Sequence, residues 1–234
     1  MQSPLDILHG CAVFDGVEEK LLTELAALAK TEHYATRTLL VPSGQLPQLI
    51  RYVVKGRIEL VLSTEDGREA SLPIIAGRWA SWLGCFHPQP IEHEMWSSAG
   101  ASFLAFPATA LRQCVASNPE ALMRIILEVG NSLRLLIGWS LVSNLFLPEQ
   151  RLAYALLAIS SPREMEITQE QLGAIGLGSR QRVSRLLHSL EARGLVTTGY
   201  RSVSITDPDK LGAFAFGKSW RTGINSVLPG FGSK

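Results

Sequence analysis

Apolar positions change period twice along this chain. Over residues 18–30 they fall at helical spacing, at Leu21, Leu22, Leu25 and Leu28, and predict a short amphipathic helix. From 38 to about 107 short β-rich runs alternate with turn residues instead. Runs 39–41, 50–54, 58–62 and 70–75 precede Ser43-Gly44, Lys55-Gly56, Asp66-Gly67 and Gly77. Asp-Gly between two such runs marks a hairpin. Short strands at this spacing predict a small sandwich, barrel or roll.

Helical period returns after Ser117. Asn118 suits an N-cap, Pro119 the first helical position and Glu120 the positive end of the dipole. Leu122, Ile125, Ile126, Val129, Leu133, Leu136 and Ile137 carry the period toward Phe146, before Pro148. Such a helix is about 40 Å long. Ile126, Val129, Leu133, Leu136, Ser140 and Ser143 alternate steps of three and four, a coiled-coil seam. The seam fits either the core of one chain or a dimerisation helix; its length and lack of charge favour dimerisation through Ile126, Val129, Leu133, Leu136 and Ser140. A further amphipathic helix is predicted over 150–159.

Residues 166–205 carry the functional signal. Thr168 opens a helix that continues through Leu172 and Ile175; Gly176 and Gly178 supply a tight turn. Ser179 caps a second helix reaching about Ala192, with Val183, Leu186, Leu187 and Leu190 on its buried face. Helix, glycine turn and helix make a helix-turn-helix. Gly194 ends the second helix, and runs 195–197 and 203–205 around Gly199-Tyr200 predict a wing.

Charge first argues against nucleic acid, because 22 Lys+Arg against 21 Asp+Glu leave a net charge of only +1. That figure is an average. Between Ser179 and Arg201 stand Arg180, Arg182, Arg185, Arg193 and Arg201 against the single acid Glu191, a local charge of +4. Arg180, Gln181 and Arg185 lie on the first turns of the second helix. Arginine can grip guanine O6/N7 and glutamine adenine N6/N7 with paired hydrogen bonds, while the other basic groups neutralise phosphate. The DNA-contacting set is Thr168, Gln169, Ser179, Arg180, Gln181, Arg182, Ser184, Arg185 and Arg201.

Composition, 46% apolar and 18% charged, allows one to two globular domains. Three scattered cysteines, Cys11, Cys85 and Cys114, make a poor disulfide framework and point to a reducing compartment. No signal peptide is read. The most apolar stretch, 135–147, has 13 residues, short of the roughly 20 that span a bilayer, so the expected location is the cytoplasm. No Ser/His/Asp set, P-loop or Rossmann fingerprint is present, and no enzyme is expected.

The chain resembles the CRP/FNR family of bacterial transcription regulators over about residues 10–211. The resemblance rests on I-T-x-E-x-L-G-x-I-x-x-x-S-R-x-x-V-S-R-x-L-x-x-L-E-x-x-G-L-V at 167–196, on Tyr52-Val53-Val54-Lys55-Gly56-Arg57, on Asp66-Gly67-Arg68-Glu69 and on Gly84-x-Phe86. It implies an α+β chain: a β-roll sensor domain like that of cyclic-nucleotide-binding proteins (1–116), a dimerisation helix (117–147) and a winged helix-turn-helix (148–211). Residues 212–234 extend beyond the usual family end and either pack back on that domain or are disordered. The implied partners are a second copy of the chain, a two-fold symmetric double-stranded DNA operator and RNA polymerase, with no membrane. In the family motif an Arg-Glu pair and a later Arg meet bases. Here Arg180 and Arg185 match, and Gln181 replaces the Glu.

The sensor pocket departs further. Trp82 stands where the family's glutamate meets the ribose of a cyclic nucleotide, and Glu92-His93 where its Arg-Ser pair meets the phosphate. A carboxylate there repels phosphate, so no cyclic AMP binding is expected. Trp82, Leu83, Glu92, His93, Met95, Trp96, Leu136 and Ser140 are candidate pocket residues, with Trp79 nearby. Their aromatics suit an apolar or planar effector or simply a filled core. Cys85, His87 and His93 lack a standard ligand spacing, and no metal or other cofactor is expected. The competing reading is a sensor that acts through protein contacts without reading DNA.

Overall fold

The computed structural model describes residues 2–159, 167–200 and 202–217. The chain forms two compact units, Met1–Val129 and Gly130–Lys234. The first opens on α1 (Pro4–His9) and α2 (Glu19–Leu28). Strands β1 (Lys30–Tyr34), β2 (Thr38–Val41), β3 (Leu49–Lys55), β4 (Arg57–Ser63), β5 (Glu69–Ile75) and β6 (Trp79–Ala80) follow. After a short α3 (Trp82–Phe86) come β7 (Glu94–Ser97), β8 (Ala101–Pro107) and α4 (Ala108–Ala116). Two antiparallel sheets, ordered β1-β8-β3-β6 and β2-β7-β4-β5, make the roll. The β4–β5 hairpin closes on the turn holding Asp66-Gly67, with pairing from Ser63↔Glu69 back to Arg57↔Ile75.

Side-chain alternation along β3 separates two cores. Ile50, Tyr52 and Val54 meet α1, α2 and α4 with Leu104 and Phe106. Val53 faces the roll interior, which Val41, Ile58, Met95 and Phe103 fill. Arg51 shares the Val53 side of the strand and is 5% exposed. Its Nε lies 2.7 Å from Glu32 Oε2 and its Nη2 3.4 Å from Oε1. A buried guanidinium is tolerated because this carboxylate pairs it.

The helix expected over 18–30 stops at Leu28, and Lys30–Tyr34 becomes β1. Its sequence, KTEHY, carries no alternating apolar signal; pairing with β8 alone makes it a strand.

The long helix is α5 (Pro119–Leu145), 27 residues, capped by Asn118 Oδ1, which accepts from the Ala121 amide at 3.0 Å. Its start belongs to the first unit, where Ala121 and Ile125 are buried. Leu135 and Trp139 belong to the second unit's core. The helix set apart as 117–147 is therefore shared between the two units. By length and composition it could cross a membrane, with mean hydropathy 1.4 over its most apolar window. Isolated charges such as Arg134 are what limit the most apolar stretch, 135–147, to 13 residues.

The second unit continues with α6 (Pro148–Ile159), α7 (Gln169–Leu172), α8 (Arg180–Ala192), β9 (Val196–Gly199), β10 (Ser202–Ile205) and α9 (Pro208–Phe216). The expected boundary at 211 falls inside α9. Leu211 and Ala215 are buried, Gln150 Nε2 donates to the Ala215 carbonyl at 3.2 Å, and the Phe216 ring meets Phe146 and Tyr154 edge-on. Residues 212–216 are thus part of the folded domain. The rest of the expected extension, 218–234, lies outside the described residues.

Candidate nucleic-acid interface

Local chemistry builds the helix-turn-helix. Thr168 and Gln171 form a capping box: Gln171 N donates to Thr168 Oγ1 at 3.2 Å and Thr168 N to Gln171 Oε1 at 2.7 Å. After Leu172 the chain widens into a turn over Gly173–Leu177, with φ +94° at Gly176 and +100° at Gly178. Those angles favour glycine. A side chain at Gly173 would overlap the Gly178 carbonyl.

Ser179 then caps α8, its Oγ accepting from Arg182 N at 3.3 Å. Val183, Leu187 and Leu190 are buried at 0%, 2% and 0% exposure. This row anchors the helix and turns Ser179, Arg180, Gln181, Arg182, Ser184 and Arg185 outward, all exposed. Among the described residues none of Arg180, Arg182 and Arg185 is in an ion pair, so their charge is available to a ligand. The Arg182 stem lies over the turn at Gly178. α8 ends where Leu195 N donates to Leu190 O at 3.0 Å and Gly194 N to Glu191 O at 2.8 Å, with Gly194 at φ +68°.

Strands β9 and β10 pair antiparallel from Val196↔Ile205 to Gly199↔Ser202 and form the wing. Tyr200 at its tip is 93% exposed. Arg201 lies outside the described residues. Thr168 and Gln169 are half-buried, and the Thr168 hydroxyl is engaged in its cap. Arg193, counted with the phosphate-neutralising groups, stands with its Cζ 5.2 Å from the Phe214 ring centroid, a cation–π contact that ties α9 to the end of α8.

The joint between α5 and the rest of this domain is formed by contacts that the sequence pattern does not single out. Tyr154 OH donates to the Leu135 carbonyl at 3.2 Å, and Trp139 stacks on Tyr154 with centroids 6.2 Å apart. Gly138 makes the room, since a Cβ there would overlap the Tyr154 hydroxyl. The i, i+3 and i+4 spacing of Leu135, Gly138 and Trp139 is the signal in the sequence, hidden by the α5 seam.

Within the first unit, the candidate effector-pocket residues are spread over different places. Trp82 is 6% exposed and packs with Trp79, centroids 4.6 Å apart, in the helix-side core. A large apolar ring gains most where it displaces most water, and α3 carries Trp82 into that core. Trp82 Nε1 finds no acceptor. Met95, 1% exposed, fills the roll interior and accepts from Ser81 Oγ at 3.2 Å. Trp96 is half-buried, donates to Glu94 at 2.7 Å and lies 4.1 Å below the Arg37 guanidinium. Glu92 is exposed; His93 is half-buried, and burial lowers its pKa. The Leu83 side chain lies outside the description. Leu136 and Ser140 are exposed on the second unit's part of α5. A cleft lined by Trp82, Phe86, Ile125, Ile126 and Val129 holds about 160 Å³, below the ~300 Å³ of ordinary small-molecule sites. Among the described residues no group of three His, Cys, Asp or Glu could hold a metal ion.

Comparison with known proteins agrees with this geometry. The model of the Crp-like helix-turn-helix domain matches residues 150–214. The cAMP-activated global transcriptional regulator CRP of Escherichia coli is 27% identical over 186 residues, covering 74% of this chain and 87% of that protein. A CRP-like cAMP-activated regulator of Mycobacterium tuberculosis is 22% identical, covering 88% and 97%. Among solved structures, FixK2 of Bradyrhizobium japonicum superposes with a TM-score of 0.68 at 16% identity, covering 78% and 95%. The c-di-GMP responsive regulator CLP of Xanthomonas campestris gives 0.61 at 18%, covering 81% and 100%. Matched domain, aligned relatives and shared fold agree: residues 150–214 are a Crp-like helix-turn-helix domain, and over most of its length the chain is similar to CRP/FNR transcription regulators.

Proposed function

We propose that the chain acts in the cytoplasm as a homodimeric, sequence-specific DNA-binding regulator whose affinity for its operator does not depend on cyclic AMP. One observation carries the DNA-reading claim. α8 buries Val183, Leu187 and Leu190 and presents Arg180, Gln181 and Arg185 together on its open face. Arg180 and Arg185 read guanine and Gln181 reads adenine. Ser179, Ser184, Arg182 and Arg201 hold the backbone, with Thr168 and Gln169 supporting them at the start of α7.

Dimerisation is supported by the open face of α5. Ile126, Leu133, Leu136, Ile137 and Leu141 are 50–58% exposed in the single chain. Covering the exposed half of each of these side chains is worth about 0.8–1.5 kcal/mol. Ser140 is exposed beside them, whereas Val129 is half-buried against the first unit's core and contributes less. Glu128 and Arg134 within the same helix disfavour a bilayer as the occupant. Two copies placed about one helical turn of DNA apart fit a two-fold symmetric operator. RNA polymerase is the partner a regulator of this family implies.

The reading for the effector follows from Trp82, Met95 and Glu92. The first two are spent on packing, and the third places a negative charge where a nucleotide phosphate would sit in the relatives. An apolar effector, or none, fits these residues better than a cyclic nucleotide. Selection of bound sequences from random duplexes, followed by titration with cyclic AMP, tests both claims. An enriched palindrome whose affinity is unchanged by cyclic AMP is expected. No enrichment would favour a regulator working through protein contacts alone, and tightening by micromolar cyclic AMP would overturn the effector claim.

A further inference from the structure

The single acid of the basic stretch is the residue that holds the wing. Glu191 Oε1 accepts from both the amide and the hydroxyl of Thr198, each at 2.9 Å. Thr198 is paired across the hairpin with Val203, and its N–H points to Glu191 instead of into that ladder. It is an edge donor that would otherwise face water.

Glu191 also occupies a telling place on α8. It lies eleven residues beyond Arg180, about three helical turns and ~16 Å along the same row. The latch therefore fixes β9 at the far end of the reading face. Of β9 only Val196 is buried; Thr197, Thr198, Gly199 and then Tyr200 are exposed. The wing thus runs about 10 Å past the core, with Glu191 as the side chain that sets its direction from α8.

We propose that Glu191 is a positioning residue for DNA recognition: it latches the wing at Thr198 so that the tip carrying Tyr200 meets the DNA backbone beside the groove that α8 reads. This inference rests on the DNA-reading function proposed above. The phenol of Tyr200 donates to a phosphate oxygen there. An acid on a DNA-facing surface without such a role weakens binding by repelling phosphate, so its removal would tighten the complex. The latch predicts the opposite sign. One oxygen makes both bonds, so a glutamine amide oxygen can replace it while the charge is lost.

The test uses full-length wild type, Glu191→Ala and Glu191→Gln on the duplex selected with wild type, read by affinity and hydroxyl-radical footprint. Hydrogen exchange of the Thr198 amide is followed without DNA. Glu191→Ala is expected to bind about tenfold more weakly, the worth of one hydrogen bond to a charged group, and to lose the flanking protection while keeping that under α8. Glu191→Gln is expected to keep both and bind at least as tightly as wild type. The Thr198 amide should be protected in wild type and Glu191→Gln and exchange freely in Glu191→Ala. Equal or tighter binding by Glu191→Ala, an intact flanking strip, unchanged Thr198 exchange, or equal loss in both variants would overturn the latch while wild-type selection stands. Failure of wild type to prefer any sequence would overturn the DNA reading and the latch with it.

Discussion

Gln181 is where this interface departs from the family motif, and its chemistry makes the departure measurable. A glutamine amide donates and accepts, matching adenine N6/N7, whereas a glutamate only accepts, as from cytosine N4. Gln181→Glu should move the preferred base at one position of each half-site by about 1–3 kcal/mol, read as a changed selection profile; an unchanged profile would remove Gln181 from the base-reading set. Far from the interface, Glu32→Ala leaves Arg51 buried without its carboxylate. Urea denaturation should show a loss of about 3 kcal/mol; a change under about 0.5 kcal/mol, the range of ordinary surface substitutions, would mean the guanidinium finds another partner. Residues whose role is local were legible in the sequence: the Ser179 cap, the Gly176 and Gly178 turn and the buried row of α8 all follow from neighbours within a few positions. Roles made by distant pairing were not. Nothing in the sequence joins Arg51 to Glu32, or sends the Trp82 ring to Trp79 in the helix-side core.

At the scale of elements, α5 does two things. Its outer face leaves Leu133 56% exposed, and the proposed dimer covers it. Leu133→Glu places two carboxylates face to face at such a seam. Sedimentation should show the dimer constant weakened at least about 100-fold with the fold intact, some 2.7 kcal/mol; an unaltered dimer would relocate the interface. Its inner face locks onto the DNA-binding domain through Gly138 and Tyr154. Gly138→Ala should cost about 2 kcal/mol by overpacking and loss of the Tyr154–Leu135 bond, despite alanine's better helix propensity. Tyr154→Phe added to it should recover most of that loss in thermal melts, because the overlapping hydroxyl is gone; no recovery would place the strain elsewhere. The sequence revealed α5 and its polarity because a long period with a capped start stands out. It hid the division of the helix between two units, since Ala121, Ile125, Leu135 and Trp139 belong to the same repeating pattern as the open face. β1 was invisible because its residues are polar and only β8 makes them a strand.

At the scale of the whole molecule, a net charge of +1 coexists with a +4 stretch at 179–201. Within that stretch Arg193 is drawn to Phe214 and Glu191 to Thr198. If the proposed dimer neutralises phosphate mainly through Arg182 and Arg201, two per protomer and four per dimer, the expected salt slope is near −4 in log K against log salt. That is modest for a DNA binder, so discrimination must come from base contacts. The direct measurement is an equilibrium titration of full-length protein, without nucleotide and at fixed physiological salt, against the selected palindromic duplex and a scrambled duplex of equal length. A preference of at least about 10³-fold for the palindrome is expected, reduced at least about tenfold by Arg185→Ala. Equal affinity for the two duplexes, or a preference indifferent to Arg185, would contradict the DNA-reading claim.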